Sequence, residues 1–170
     1  MASLTLEPFA ERHVAALAPM IIDPDVLRFT RIPDPPPADF ARQWLERYEI
    51  GRAEGTRDSF AAVGEDGELL GMGMAPTIDL VAQEAELGYL VAPQARGRGL
   101  GTEILRRLTR WAFDEAGLLR VTLLIDVDNG PSLVVAQRCG YVQEGLMRSV
   151  FHKPGAPRVD LTLWARLADG

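Results

Sequence analysis

Residues 86–116 constrain the fold more than any other stretch of this 170-residue chain. Glu86-Leu87-Gly88-Tyr89-Leu90-Val91 reads as a strand, residues 93–98 as a loop, and residues 99–116 as one long helix. In that helix Ile104, Leu105, Leu108, Trp111 and Ala112 recur at helical spacing. Gly97, Gly99 and Gly101 alternate at the junction, beside Arg96 and Arg98. A strand running through a glycine turn into a helix leaves the first N–H groups of the helix without acceptors, at the positive end of its dipole. Glycine lets an anion approach them closely, which is the geometry of a phosphate cradle. The two arginines add charges able to pair with phosphate oxygens. The spacing excludes two common nucleotide motifs. In G-x-G-x-x-G counted from Gly97, the third glycine would fall at Thr102, and no Gly-Lys follows as a P-loop requires.

The remaining elements frame this junction. Residues 4–9 alternate as a half-buried strand, and Val14, Leu17 and Ile21 give residues 11–22 helical spacing. The run Ile32-Pro33-Asp34-Pro35-Pro36-Pro37 is a stiff connector, because proline fixes φ and removes donors. A second amphipathic helix spans residues 39–48, with Phe40, Trp44, Leu45 and Tyr48 on its apolar side. Residues 59–63 and 69–78 form two strands about the turn Gly64-Glu65-Asp66-Gly67. Gly71 and Gly73 in the second point to a bulge or a close backbone approach. A buried strand at 121–127, a short helix at 131–138 and strands at 142–151 and 159–165 complete the order. The pattern predicts an α/β or α+β domain, with a central, partly antiparallel sheet of about seven strands and about four helices.

Composition narrows the class. The length suits one domain over residues 1–170, and the 47% hydrophobic content argues against disorder. One cysteine cannot staple a scaffold. No apolar run reaches the 18 or so residues of a membrane span, and the first residues lack a secretory pattern, so a cytoplasmic protein with no membrane partner is expected. The net charge of −6 argues against a nucleic-acid partner.

Arg96-Gly97-Arg98-Gly99-Leu100-Gly101 resembles the [Q/R]-x-x-G-x-[G/A] signature of GNAT-type N-acetyltransferases. Asp128-Asn129-Gly130-Pro131-Ser132 and Ala136-Gln137-Arg138-Cys139-Gly140-Tyr141 are similar to the N-x-x-S…GF stretch of the RimJ/RimL-like branch. The opening Leu4-Thr5-Leu6-Glu7-Pro8-Phe9 and the step Asp23-Pro24-Asp25-Val26 also resemble that branch. The resemblance covers essentially the whole chain. It implies a three-layer GNAT fold with a splayed strand pair, and acetyl-coenzyme A as cosubstrate with no metal. The pyrophosphate would lie on the loop Arg96, Gly97, Arg98, Gly99, Leu100, Gly101 and Thr102. The pantetheine arm would lie along Leu90 and Val91 and reach Asn129 and Ser132.

The chemistry implied is direct acetyl transfer to a primary amine. A backbone N–H near Leu90 or Val91 would polarise the thioester carbonyl. Ser132 would protonate or hydrogen-bond the coenzyme sulfur, although a serine in the first turn of a helix also commonly bonds backbone. Asn129 would contact the pantetheine, or serve only as a turn residue. Glu86 is the candidate general base, with Glu84 or His152 able to replace it. Many GNAT enzymes carry a general-acid tyrosine four residues before the Gly-aromatic pair, and here that place is Ala136. Tyr141 and Cys139 are expected in the core, as are the three tryptophans, with Trp44 and Tyr48 alternatively lining the amine entrance.

An α-amine, with a pKa of about 8, is roughly 10% neutral at pH 7, whereas a lysine amine near 10.4 is about 0.04% neutral. The α-amine of a peptide N-terminus is therefore the expected acceptor. A small amine (amino acid, polyamine or aminoglycoside) is the alternative, and a non-catalytic coenzyme A-binding module the reading from another class. A monomer and a homodimer are equally compatible with the sequence.

Overall fold

Seven strands pair into a mixed sheet in the computed structural model, which describes residues 4–170. The strands are β1 (Leu4–Pro8), β2 (Asp58–Gly64), β3 (Leu69–Asp79), β4 (Glu84–Val91), β5 (Arg120–Asp126), β6 (Val142–Phe151) and β7 (Val159–Leu167), in the order β1-β2-β3-β4-β5-β7-β6. The helices are α1 (Glu11–Leu17), α2 (Pro24–Phe29), α3 (Phe40–Glu54), α4 (Leu100–Arg110) and α5 (Gly130–Arg138). All strand pairs are antiparallel except β4 with β5. No helix among the described residues is long and apolar enough to cross a membrane.

Where β4 meets β5 the sheet splits. The two strands pair only at Glu84 with Arg120, Ala85 with Val121 and Glu86 with Thr122. Beyond Glu86 each is held by its other neighbour: β4 by β3 as far as Val91 with Gly71, and β5 by β7 along its whole length. The result is a wedge between the C-terminal halves of β4 and β5. One extra residue in β3, between Met74 and Thr77, makes a bulge opposite Glu86 and Gly88. Pro76 suits it, because a bulge needs no ladder donor there.

Two packed clusters hold the sheet. One joins α1, α2 and α3 to β1, β2 and β3, around Phe9, Leu17, Trp44 and Met72. The other surrounds Leu105, Leu108, Val121 and Trp164. Each fully buried side chain of this size contributes about 1.5–3 kcal/mol. Gly71 and Gly73 mark a close approach. A Cβ on Gly71 would collide with the Leu90 carbonyl, and α4 packs Ile104 directly over both glycines.

The structure departs from the sequence reading in four helices. The helix expected over 11–22 ends at Leu17, because Pro19 cannot donate and its ring would crowd the carbonyl four residues back. Helix α2 is an addition to that reading, so the described residues form five α-helices and not four. It is six residues long and relies on the Asp23 side chain, which accepts from Val26 N–H at 3.1 Å. The helix expected to run to Ala116 leaves α geometry at Trp111. A wider turn follows, in which Ala116 N–H bonds Trp111 O, and Trp111 lies edge-on to Phe60 with centroids 4.8 Å apart. Helix α3 instead overruns its expected end at Tyr48 and stops at Gly55, whose φ is 71°.

Candidate active site

A cleft of about 1160 Å³ opens in the wedge and runs from the glycine loop to α3. It collects most of the residues singled out by sequence: Glu86, Leu90, Val91, Arg96, Gly97, Gly99, Leu100, Gly101, Thr102, Asn129 and Ser132 all line it. Arg98 is the exception; it is exposed on the loop and does not form part of the wall.

At the loop end, the N–H groups of residues 97 to 102 find no acceptor among the described residues. Gly97 and Gly99 are left-handed, with φ of 75° and 76°, and a Cβ on either would meet open space. The row of free donors at the start of α4 therefore fits an anion such as pyrophosphate. Gly101 is a glycine for a different reason. A Cβ there would stand 2.9 Å from Tyr89 Cε2, so Gly101 makes room for that ring. Arg96 does not offer a free charge as expected. Its guanidinium lies 2.5 Å from Asp23 and 3.2 Å from Asp25, and ties the loop to α2. Burial pushes the Asp23 carboxyl up, but Arg96 and the Val26 N–H outweigh it and leave it below its ordinary value. Leu100 and Thr102 are buried, so only their backbone can reach a ligand.

Along the wedge the two strand residues differ. Ala92 N–H bonds Leu70 O on β3. N–H groups alternate along a strand, so Leu90 N–H also points to β3 and Val91 N–H points into the gap. Leu90 is thus a core residue with no free donor, and Val91 is the one able to polarise a carbonyl. At the first turn of α5, Asn129 Oδ1 accepts from Ser132 N–H at 3.3 Å and caps the helix. Its Nδ2 has no hydrogen-bond partner among the described residues.

Tyr89 was not singled out from the sequence. Its phenol donates to Ser132 Oγ at 3.2 Å, and burial pushes its pKa up to about 12. The phenol is therefore a donor at neutral pH and leaves the Ser132 proton free for another acceptor. Only the pairing of a strand aromatic with a small residue at the start of α5 could have signalled this, and that pairing crosses the sheet gap.

At the α3 end, Glu86 Oε1 lies 3.3 Å from Arg31 Nη2. Glu84 lies outside the cleft, 3.7 Å from Arg120. His152 is exposed and also outside it. Trp44 and Tyr48 do line this end, stacked with centroids 5.6 Å apart. Tyr141 is buried against Thr109 at 2.7 Å, and burial pushes its phenol far above the ordinary range. Cys139 is likewise buried, its thiol pushed up by desolvation.

A wedge between parallel strands, a glycine loop at a helix start and a cleft joining them define an acetyltransferase fold of the GNAT type. The family model described as "Acetyltransferase (GNAT) domain" matches residues 3–142, and the chain belongs to that family. Among curated proteins, the "Putative ribosomal N-acetyltransferase YdaF" of Bacillus subtilis (strain 168) is 37% identical over 132 residues. That match covers 77% of this chain and 64% of YdaF, just under two thirds of its length. Among solved structures, RimL, a ribosomal L7/L12 alpha-N-protein acetyltransferase in complex with coenzyme A, superimposes with a TM-score of 0.89 at 20% identity, covering 98% of this chain and 95% of that one. Spermidine N-acetyltransferase from Vibrio cholerae, in complex with CoA and spermine, gives 0.87 at 18% identity, covering 98% and 96%.

Proposed function

We propose that residues 1–170 act as one acetyltransferase domain that moves an acetyl group from acetyl-coenzyme A to the α-amine of a peptide or protein N-terminus. The observation that carries this reading is that one cleft joins the free N–H row of residues 97–102, the Tyr89–Ser132 pair and the Glu86 carboxylate. The 37% identity to the putative ribosomal N-acetyltransferase YdaF supports the choice of acceptor.

When bound, acetyl-coenzyme A supplies the thioester, whose C–S bond breaks as the new C–N bond forms. The chain's residues do the rest. The N–H groups of 97–102 hold the pyrophosphate, and Val91 N–H donates to the carbonyl oxygen as charge develops there. Glu86 accepts the proton released by the amine, directly or through water. Ser132, held in place by the Tyr89 phenol, donates a hydrogen bond to the departing sulfur and stabilises the thiolate until it takes a proton from water. Holding amine and thioester together in the wedge supplies a large part of the rate.

The reading is tested by following free thiol release from acetyl-coenzyme A with a peptide bearing a free N-terminus, the same peptide N-terminally blocked, and spermidine. Turnover of the free peptide alone is the expected result. Turnover of spermidine alone would replace this reading with a polyamine acceptor.

A further inference from the structure

The acceptor end of the cleft holds more cationic and donor groups than delivery of an amine to Glu86 requires. Three guanidiniums, from Arg31, Arg47 and Arg57, share the lining with that carboxylate. Arg31 is paired with Glu86, whereas Arg47 packs over the Phe40 and Tyr48 rings. Neither Arg47 nor Arg57 has a carboxylate within ion-pair distance among the described residues.

Arg57 is the more telling of the two. It is only partly exposed, and its aliphatic stem fills the space where a Cβ on Gly51 would lie. That packing holds the stem against α3, and the side chain borders both the cleft and a smaller neighbouring recess that also holds Glu46 and Glu54. Arg57 immediately precedes β2, whose Asp58 stands opposite Ala75, and β3 separates β2 from β4 and Glu86. Two strand spacings put the Arg57 backbone about 10 Å from that of Glu86. Arg31, Arg47, Arg57 and Glu86 line the same cleft as the Tyr48 ring. Trp44 adds a second unsatisfied group. It is 4% exposed, and its indole N–H has no acceptor among the described residues. A buried donor and a half-buried cation, both without partners, call for an acceptor-rich ligand.

We propose that the substrate N-terminus carries side-chain carboxylates within its first three residues, and that Arg57 binds one of them while Glu86 receives the α-amine. This specificity rests on the peptide-acceptor reading above. A polycation is disfavoured at this end of the cleft, since Glu86 is already paired with Arg31 and the guanidiniums of Arg47 and Arg57 stand beside it without carboxylate partners among the described residues.

Thiol release with two peptides of equal length, beginning Ser-Glu-Glu and Ser-Gln-Gln, tests the proposal, with spermidine as a third acceptor. The acidic peptide is expected to exceed its amide twin by about tenfold in kcat/KM, an effect of the size of one charge-assisted hydrogen bond. Arg57→Met keeps the packed stem and removes the charge, so the ratio between the two peptides falls toward one. Arg57→Lys restores part of it. A ratio is insensitive to how much enzyme is folded. Equal rates on both peptides in the wild type, or an unchanged ratio in Arg57→Met, overturn this inference and leave N-terminal acetylation standing. Turnover of spermidine with neither peptide overturns both.

Discussion

The Tyr89 phenol donates to Ser132 Oγ across 3.2 Å, joining the open edge of β4 to the first turn of α5. The Ser132 hydroxyl is thereby oriented with its own proton unspent. Ser132→Ala is expected to lower kcat by about 10²-fold or more, the usual contribution of a positioned hydrogen-bond donor to developing charge, with little change in acetyl-coenzyme A binding. Tyr89→Phe keeps the hydroxyl but loses its orientation, so its loss is smaller. Because the phenol titrates near 12, kcat shows no decline due to Tyr89 below about pH 10. Equal turnover in wild type and Ser132→Ala would remove the serine from the mechanism.

Gly101 reaches the same pair from behind. A methyl group there meets the Tyr89 ring at 2.9 Å, so Gly101→Ala displaces the ring and with it the bond to Ser132. We expect kcat to fall toward the Tyr89→Phe value. The double variant should be no worse than either single one, because both act through one contact. Additive losses in the double-variant cycle would show that Gly101 acts through the coenzyme alone.

The strand–loop–helix junction was legible because its signals are local: a strand pattern, alternating glycines and a helical repeat within 31 consecutive residues of the sequence. The cleft residues along that junction followed from the resemblance. What stayed hidden depends on partners distant in sequence. Arg96 looked like a free phosphate ligand until α2 placed Asp23 and Asp25 beside it. Leu90 and Val91 could not be told apart until the strand phase was fixed by Ala92 N–H on Leu70. Tyr89 and Arg57 read as an ordinary strand aromatic and a loop cation, since their roles arise across a sheet gap and across β3. Helix α2 escaped because six residues are too few to display a period.

The Arg96–Asp23 pair makes part of the fold's stability depend on acid. The Asp23 carboxyl lies below its ordinary 3.8 in the folded state. Such a group contributes stability that is complete above its unfolded pKa and is lost as pH falls through the folded one. Urea midpoints should therefore fall on acidification below about pH 4. Asp23→Asn keeps a helix-capping side chain for α2 while removing the charge, so its acid limb is flatter than that of the wild type. Identical acid limbs in the two proteins would contradict the assignment.

Glu86 is the carboxylate in the acceptor end of the cleft, and Glu84 is held outside by Arg120. Glu86→Gln is expected to lower kcat/KM for the peptide by about 10²–10⁴-fold, while Glu84→Gln has little effect. Steady-state rates at fixed, saturating acetyl-coenzyme A decide between them. A large loss in Glu84→Gln with none in Glu86→Gln would move the base to the other carboxylate.

Every role above depends on the cleft taking acetyl-coenzyme A, and thermal unfolding with and without that ligand tests this most directly. At 100 times its Kd a ligand stabilises the folded state by about 2.7 kcal/mol, a rise in Tm of about 5–10 °C for a chain of this size. The account predicts that rise in the wild type and its loss in Gly99→Glu, where a carboxylate would enter the space beside the free N–H row. No rise at saturating acetyl-coenzyme A, or an undiminished rise in Gly99→Glu, would contradict it.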